Sequence, residues 1–235
     1  MRDRIGADHP GHGLTGVADA GAFLARLTRL EPAALVRLRS NPATGRTDLW
    51  ARLPWTVLAG RSVAGPGPGD ATVSAADLLA ELGAAGTRLP ARRDADWRWP
   101  LPGPPGPVVD QLAGADLRRI AAAAAGALRS AATEGVGGRA VGQRAVRDAL
   151  LDHVAVVVTG TPDGTTTEVR VEVSQRLVQA VVRMGFLGVD PPAGMDRVQV
   201  RRAGRWTGLL APYGSAWLLS GSPLVLNPRS GQPFG

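Results

Sequence analysis

Apolar residues recur at helical spacing along Val17 to Leu30, where Phe23, Leu24, Leu27 and Leu30 fall on one side. Pro32 suits a first helical turn, so a second short helix is predicted from Pro32 to Arg39, ended by Asn41-Pro42. Leu49 to Val63 carries Trp50, Leu53, Trp55, Val57 and Leu58. It reads as one bent strand or two short ones, with Pro54 at an edge or a bulge. Gly65-Pro-Gly-Pro-Gly69 reads as a loop. Ser74 followed by Asp77 resembles a capping box and starts a helix to about Leu82, which Gly83 can close.

Farther along, Leu117, Ile120, Ala121, Ala124 and Leu128 keep helical spacing, and Gly135-Val-Gly-Gly138 breaks it. Another helix is predicted over about Val141 to Leu151. His153 to Thr159 is almost wholly apolar and predicts a central strand. Pro162-Asp-Gly164 supplies a turn, because proline presets φ and glycine permits a positive one. In the returning strand Val169, Val171 and Val173 alternate with Glu168, Arg170 and Glu172, so one face is buried and the other wet. Ser174 is placed to cap a helix reaching Met184 and stopped by Gly185. Val198 and Val200 open a strand that Ala203-Gly204 turns into Arg205 to Leu210. Short apolar pieces at Ala216 to Leu219 and Leu224 to Leu226 complete the sheet.

These elements predict an α+β fold, with an N-terminal helical part and a C-terminal, mainly antiparallel sheet carrying helices on one face. Residues 1–13 read as a flexible tail, 14–99 as the N-terminal α+β part, 108–228 as the C-terminal α+β part and 229–235 as a tail. The boundary between the parts is Pro100 to Pro107, whose proline and glycine content predicts an extended, polyproline-like linker. Val73-Ser74 and Val173-Ser174 each introduce a helix ended by glycine. That suggests a duplication relating residues 14–84 to 111–186.

The chain has 235 residues, enough for one large domain or two small ones. Its basic residues are all arginine, which places the pI near 11.4 although the net charge is only +7. Residues 1–65 carry nine arginines and five acids, 66–110 four and six, and 111–235 fourteen and nine. The basic excess thus sits in two blocks, suited to phosphates or acidic surfaces. Met1 to Pro10 lacks the apolar stretch of a signal peptide, and the most apolar run, Ile120 to Leu128, is far shorter than the ~20 residues of a membrane span. A cytoplasmic, non-membrane protein is expected.

Composition also removes chemistries. Without cysteine there is no disulfide, thiolate nucleophile or cysteine-ligated zinc. Without lysine there is no phosphate-loop lysine and no Schiff base. Gly135-x-Gly137-x-x-Ala140 imitates a dinucleotide fingerprint but follows a helix rather than a strand. Gly60-Arg-Ser62-Val-Ala64 falls one residue short of a nucleophile elbow and leads into Gly65-Pro66 instead of a helix. His9 and His12 lie in a glycine-rich tail that offers no preorganised metal site. Asp94 and Asp96 are two loop carboxylates without further ligands. His153 follows Asp152, but adjacent strand residues point to opposite faces. No catalytic residue, metal or cofactor is therefore assigned.

Two groups remain as binding candidates. Trp97 and Trp99 share one side of an extended segment, as a partner-binding surface or as anchors of the linker. Arg176, Gln179 and Arg183 share the polar side of the helix after Ser174, and Arg201, Arg202 and Arg205 surround the hairpin tip. A helix bearing Arg and Gln before a basic hairpin resembles the closing half of a winged helix, although a strand precedes the helix here.

Four phrases resemble proteins of actinobacteria that carry no assigned activity: Trp97-Arg-Trp-Pro-Leu, Arg147 to Val154, Gln175 to Gly188, and Gly204 to Trp217. The resemblance implies a bacterial cytoplasmic origin and no site. The residues themselves favour a non-catalytic binding or regulatory protein with nucleic acid or an acidic protein surface as partner. The alternatives are a protein–protein scaffold using the Trp and Pro segments, or an enzyme relying on Asp, Glu, Arg and His153. Oligomeric state is not encoded in any of these features.

Overall fold

In a computed structural model, residues 11–134, 143–161, 166–189 and 196–220 are described. Alternation of buried and wet positions builds one large antiparallel sheet. Strands β1 (Leu35–Asn41), β2 (Arg46–Arg52), β3 (Leu58–Ala64) and β4 (Asp70–Ser74) come from the N-terminal part. Strands β5 (Val108–Ala113), β8 (Arg197–Ala203), β9 (Trp206–Ala211) and β10 (Gly214–Leu219) come from the C-terminal part. Their order is β4-β1-β2-β3-β10-β9-β8-β5. Between β5 and β8 in sequence, β6 (Val154–Gly160) and β7 (Val169–Ser174) form a separate two-stranded sheet.

The sheet is laid out symmetrically about the β3–β10 pair. In the N-terminal half, α1 (Val17–Leu30) leads into the meander β1-β2-β3, and β4 joins beside β1 and runs straight into α2 (Ala75–Gly83). In the C-terminal half, α5 (Gln175–Arg183) precedes the meander β8-β9-β10, and β5 joins beside β8 and runs straight into α3 (Gly114–Glu134). The pieces are the same but their sequence order is exchanged, and α4 (Gln143–Asp152) with β6 and β7 is inserted between α3 and α5. The duplication suggested by Val-Ser fails in its original register. Residues 14–84 contain a meander and 111–186 do not, so the two Val-Ser helix starts are not equivalent.

One face of the sheet holds the main core. Val36, Leu49, Ala59, Leu209 and Val200 are fully buried there against Phe23, Leu24 and Leu27 of α1 and Leu177 and Val181 of α5. Each fully buried Leu, Val or Phe contributes about 1.5–3 kcal/mol. Phe23 and Phe186 stack across the two halves with ring centroids 6.3 Å apart.

The opposite face carries a tryptophan cluster. Leu58, Ala203, Trp206 and Trp217 are buried, with Trp50, Trp97, Trp99 and Leu101 packed around them. Five of the six tryptophans therefore serve this face, and the segment after Trp97 runs across it. Gly106 N donates to Arg202 O, which fastens the far end of that segment beside β8.

Several expectations are corrected. Residues 35–41 are strand, not helix. Val36 and Leu38 point inward and Arg37 and Arg39 outward, and pairing on both sides by β2 and β4 overrides the proline signal. The N-terminal part is consequently as rich in strands as the C-terminal part. Pro54 lies in the turn between β2 and β3. Strands β4 and β5, too short to show periodicity, were not anticipated. The apolar run at β6 is no central strand: it pairs only with β7, and Val154 and Val157 are exposed. Residues 11–13, read as tail, join the fold: His12 is buried, its Nδ1 accepts from Leu14 N, and its Nε2 donates to Gly86 O. The turns at 135–138 and 162–164 and the strand at 224–226 lie outside the described residues. No helix among the described residues is long and apolar enough to cross a membrane.

Candidate functional site

The inserted segment creates a cleft of about 880 Å³ on the helix side of the sheet. Helices α3, α4 and α5 form its walls, and the β2–β3 turn with the end of α1 closes one side. Leu30, Trp55, Ala124, Leu128, Leu150 and Leu151 supply apolar surface. Arg129, Arg147, Arg176 and Arg183 supply positive charge, against Asp148 alone among the lining acids.

Helix α5 positions the polar groups. Its inner side buries Leu177, Val178, Ala180 and Val181, which leaves Arg176, Gln179 and Arg183 turned toward the cleft. Arg176 is the most constrained. It donates from Nε and Nη2 to Asp152 Oδ1 at 2.8 and 2.6 Å and from Nη1 to Trp55 O at 2.9 Å. Trp55 Nε1 returns a hydrogen bond to Arg176 O at 3.0 Å, so the β2–β3 turn and α5 are tied reciprocally. Thr56, at the centre of that turn, adopts φ of 68°.

Gln179 is buried rather than solvated. Its Nε2 donates to Ala121 O, and its Oε1 accepts from Arg183 Nε at 3.2 Å. Arg183 also lies over the Trp55 ring, 5.5 Å from the centroid. Gln175, not singled out from the sequence, lines the same cleft at 3% exposure, and its amide nitrogen is buried without an acceptor. No periodicity distinguishes it, because a first-turn glutamine after a serine is ordinarily solvated. Arg147 lay in a noted phrase without a role; here it pairs with Asp148 at 3.3 Å.

The hairpin arginines are not brought to this cleft. Arg201 is on the opposite face of the sheet from α5, donating to Gln199 Oε1 and Gly106 O. Arg202 faces Arg170 and Glu172 of β7 across a small depression. Arg205 donates to Ser220 O at the hairpin tip. The hairpin arginines thus lie apart from the α5 residues and do not share one surface themselves, since Arg201 and Arg202 are on opposite sides of β8.

Trp97 and Trp99 are half-buried in the outer cluster. Trp97 Nε1 donates to Trp99 O, Arg52 sits 4.2 Å over the Trp99 ring, and Arg37 sits 5.9 Å over the Trp97 ring. His153 is exposed at the start of β6, away from the cleft lining. Ser62 is an exposed strand residue whose Oγ accepts from Arg46. Asp94 accepts from Thr72 N and from Arg92, and Asp96 from Arg93. Among the described residues no group of three or more metal-binding side chains occurs.

Both edges of the large sheet are covered. Along β4, Arg93 N donates to Thr72 O and Asp94 Oδ1 accepts from Thr72 N. The Thr72 amide bond holds the Asp94 carboxyl below its ordinary range, and the Arg37 guanidinium does the same for Asp70. Along β5, β6 comes so close that a side chain at Gly160 would strike Val109 O. Among the described residues each end of the large sheet thus has a covering segment beside its outer strand.

The chain belongs to the family described as domain of unknown function DUF8185, whose model matches residues 101–223. A second model, domain of unknown function DUF8010, matches residues 14–100. No curated protein matches the chain in sequence. Among solved structures it is similar in fold to Caulobacter crescentus pol III beta, at TM-score 0.50 and 10% identity over 88% of this chain and 64% of that one. The DNA polymerase III subunit beta of Pseudomonas aeruginosa gives TM-score 0.49 and 14% identity over 92% and 68%. The beta subunit from DNA polymerase of Streptococcus pyogenes gives 0.48 and 10% over 88% and 64%. The chain spans slightly less than two thirds of the length of the Caulobacter and Streptococcus proteins.

Proposed function

We propose that this is a non-catalytic binding protein whose helix-side cleft contacts the phosphates of nucleic acid. The observation that carries the reading is that Arg129, Arg147, Arg176 and Arg183 line one cleft, with Asp148 and Asp152 as their carboxylate partners among the described residues. Guanidinium groups suit phosphate through their planar fork of donors. The fold shared with Caulobacter pol III beta, a polymerase subunit by name, makes DNA the first partner to try. The described residues within 14–99 and 108–228 act in this reading as two units of one sheet, with the 100–107 segment as a strap over its outer face. Arg201, Arg202 and Arg205 lie away from the cleft, and Trp97 and Trp99 hold the strap.

The test is a salt titration with duplex and single-stranded oligonucleotides. Two to four phosphate contacts give a log–log slope of roughly −2 to −4, starting from measurable binding at about 50 mM salt. Because such contacts read no base edges, sequence preference stays weak. Absence of binding at low salt, or binding indifferent to salt, overturns the proposal.

A further inference from the structure

The cleft lining also carries leucines and a buried glutamine, chemistry that differs from that of a phosphate track. We infer that it binds an amphipathic monoanion: one carboxylate-like head on a short acyl body. This inference stands on the cleft's volume and apolar lining and on Gln175, and does not require the nucleic-acid reading.

The volume, about 880 Å³, falls in the range of small-molecule sites, and the mix of apolar wall and few convergent polar groups is theirs too. Leu128, Leu150 and Leu151 give an aliphatic wall for an acyl chain. The polar groups are nearly all donors. Arg176 is answered by Asp152 and Arg147 by Asp148. Arg183 spends only Nε on Gln179, and its guanidinium is held over Trp55. It meets no carboxylate among the described residues, which leaves its positive charge for a negative head.

Gln175 is the second, independent observation. It is 97% buried by its 3% exposure, and its Nε2 has no acceptor. A buried amide without a partner costs free energy unless something else satisfies it. A half-turn of the terminal amide exchanges its two ends, so the donor can be presented to the cleft that the residue lines. A carboxylate taking one bond from Gln175 and one or two from Arg183 would satisfy both groups. Its acyl chain would then lie along the leucine wall.

The experiment is calorimetric titration of the full chain with octanoate, acetate and 1-octanol. Octanoate is expected to bind once and saturably, with acetate and octanol each at least about tenfold weaker, since each lacks one half of the recognised molecule. Gln175→Met replaces the orphaned amide with an apolar chain of similar length. It is expected to weaken octanoate about tenfold without lowering the melting temperature of the free protein. Arg183→Gln is the second variant and should weaken octanoate to a similar degree. No octanoate binding, octanoate no tighter than acetate or octanol, or wild-type affinity in both variants overturns the inference. Oligonucleotide binding that persists in that case leaves the proposed function standing alone.

Discussion

The two halves of the sheet share a plan and differ in what lies between their helices. In the N-terminal half α1 and α2 pack directly on the strands, and the chain from β4 to α2 turns at Ser74, whose Oγ accepts from Asp77 N. In the C-terminal half α3 and α5 are separated in sequence by α4, β6 and β7, and the space beneath α4 is the cleft. The comparison teaches where a site can arise in a repeated layout. The shared elements α3 and α5 bury one side in the core and carry Arg129, Arg176 and Arg183 on the other, and the inserted α4 adds Arg147 and walls off a cavity beside them.

The largest expected effects come from matched core truncations. Leu27→Ala in α1 and Leu177→Ala in α5 each remove a fully buried side chain and should cost about 2–5 kcal/mol. Because one core spans both helices, chemical denaturation should show a single transition that moves in either variant. Two transitions, each sensitive to only one substitution, would make the halves independent folding units and break the comparison.

Next is Arg176→Ala, which removes the guanidinium bonds to Trp55 O and Asp152 and leaves the Trp55 Nε1 bond to the backbone carbonyl of residue 176 in place. Hydrogen bonds to a charged group contribute about 1.5–3 kcal/mol, so a loss of that order is expected in denaturant titration. A neutral result would mean that the Trp55 Nε1 bond and packing hold the turn without the guanidinium. Smaller still is Trp99→Ala, in which the exposed cation–π contact with Arg52 contributes about 0.5–1 kcal/mol beyond the lost packing. Its signature should be faster proteolysis near residues 100–107 with little change at the cleft.

The smallest effect separates the two sheet edges by pH. Asp94 and Asp70 have carboxyls held below their ordinary range, by the Thr72 amide and by Arg37 respectively. Groups depressed in the folded state stabilise it fully above their unfolded value, about pH 4, and lose that contribution as pH falls through the folded value. Hydrogen exchange at the Thr72 and Arg93 amides should therefore quicken below about pH 4. The β5 edge, covered by β6 instead of by paired carboxylates, should lag. Equal acid sensitivity at both edges would contradict the assignment.

Much of the fold was legible where periodicity was strong. The alternation at Val169, Val171 and Val173 and at Val198 and Val200 located β7 and β8, and the helical spacing at Phe23, Leu24 and Leu27 located α1. Local signals misled where long-range pairing decides. Pro32 argued for a helix, yet β1 is stabilised by partners at both sides, which no local window contains. The apolar β6 looked central because composition reports burial without saying against what. For the site, Arg176, Gln179 and Arg183 were recognisable as one side of a helix, but nothing local shows that the hairpin arginines lie elsewhere. Gln175 carries no sequence signal at all, since its significance is the partner it lacks.

In the proposed reading, charge lining the cleft, and not basic charge in general, captures the partner. It is tested most directly by comparing two double variants that remove equal charge: Arg147→Gln with Arg183→Gln at the cleft, and Arg202→Gln with Arg205→Gln at the hairpin. Affinity for a duplex oligonucleotide is measured across a salt series. The account predicts that the cleft pair lowers affinity markedly and reduces the magnitude of the log–log slope by about 2, whereas the hairpin pair leaves both near the wild type. Equal losses from the two pairs, or a larger loss from the hairpin, would contradict it.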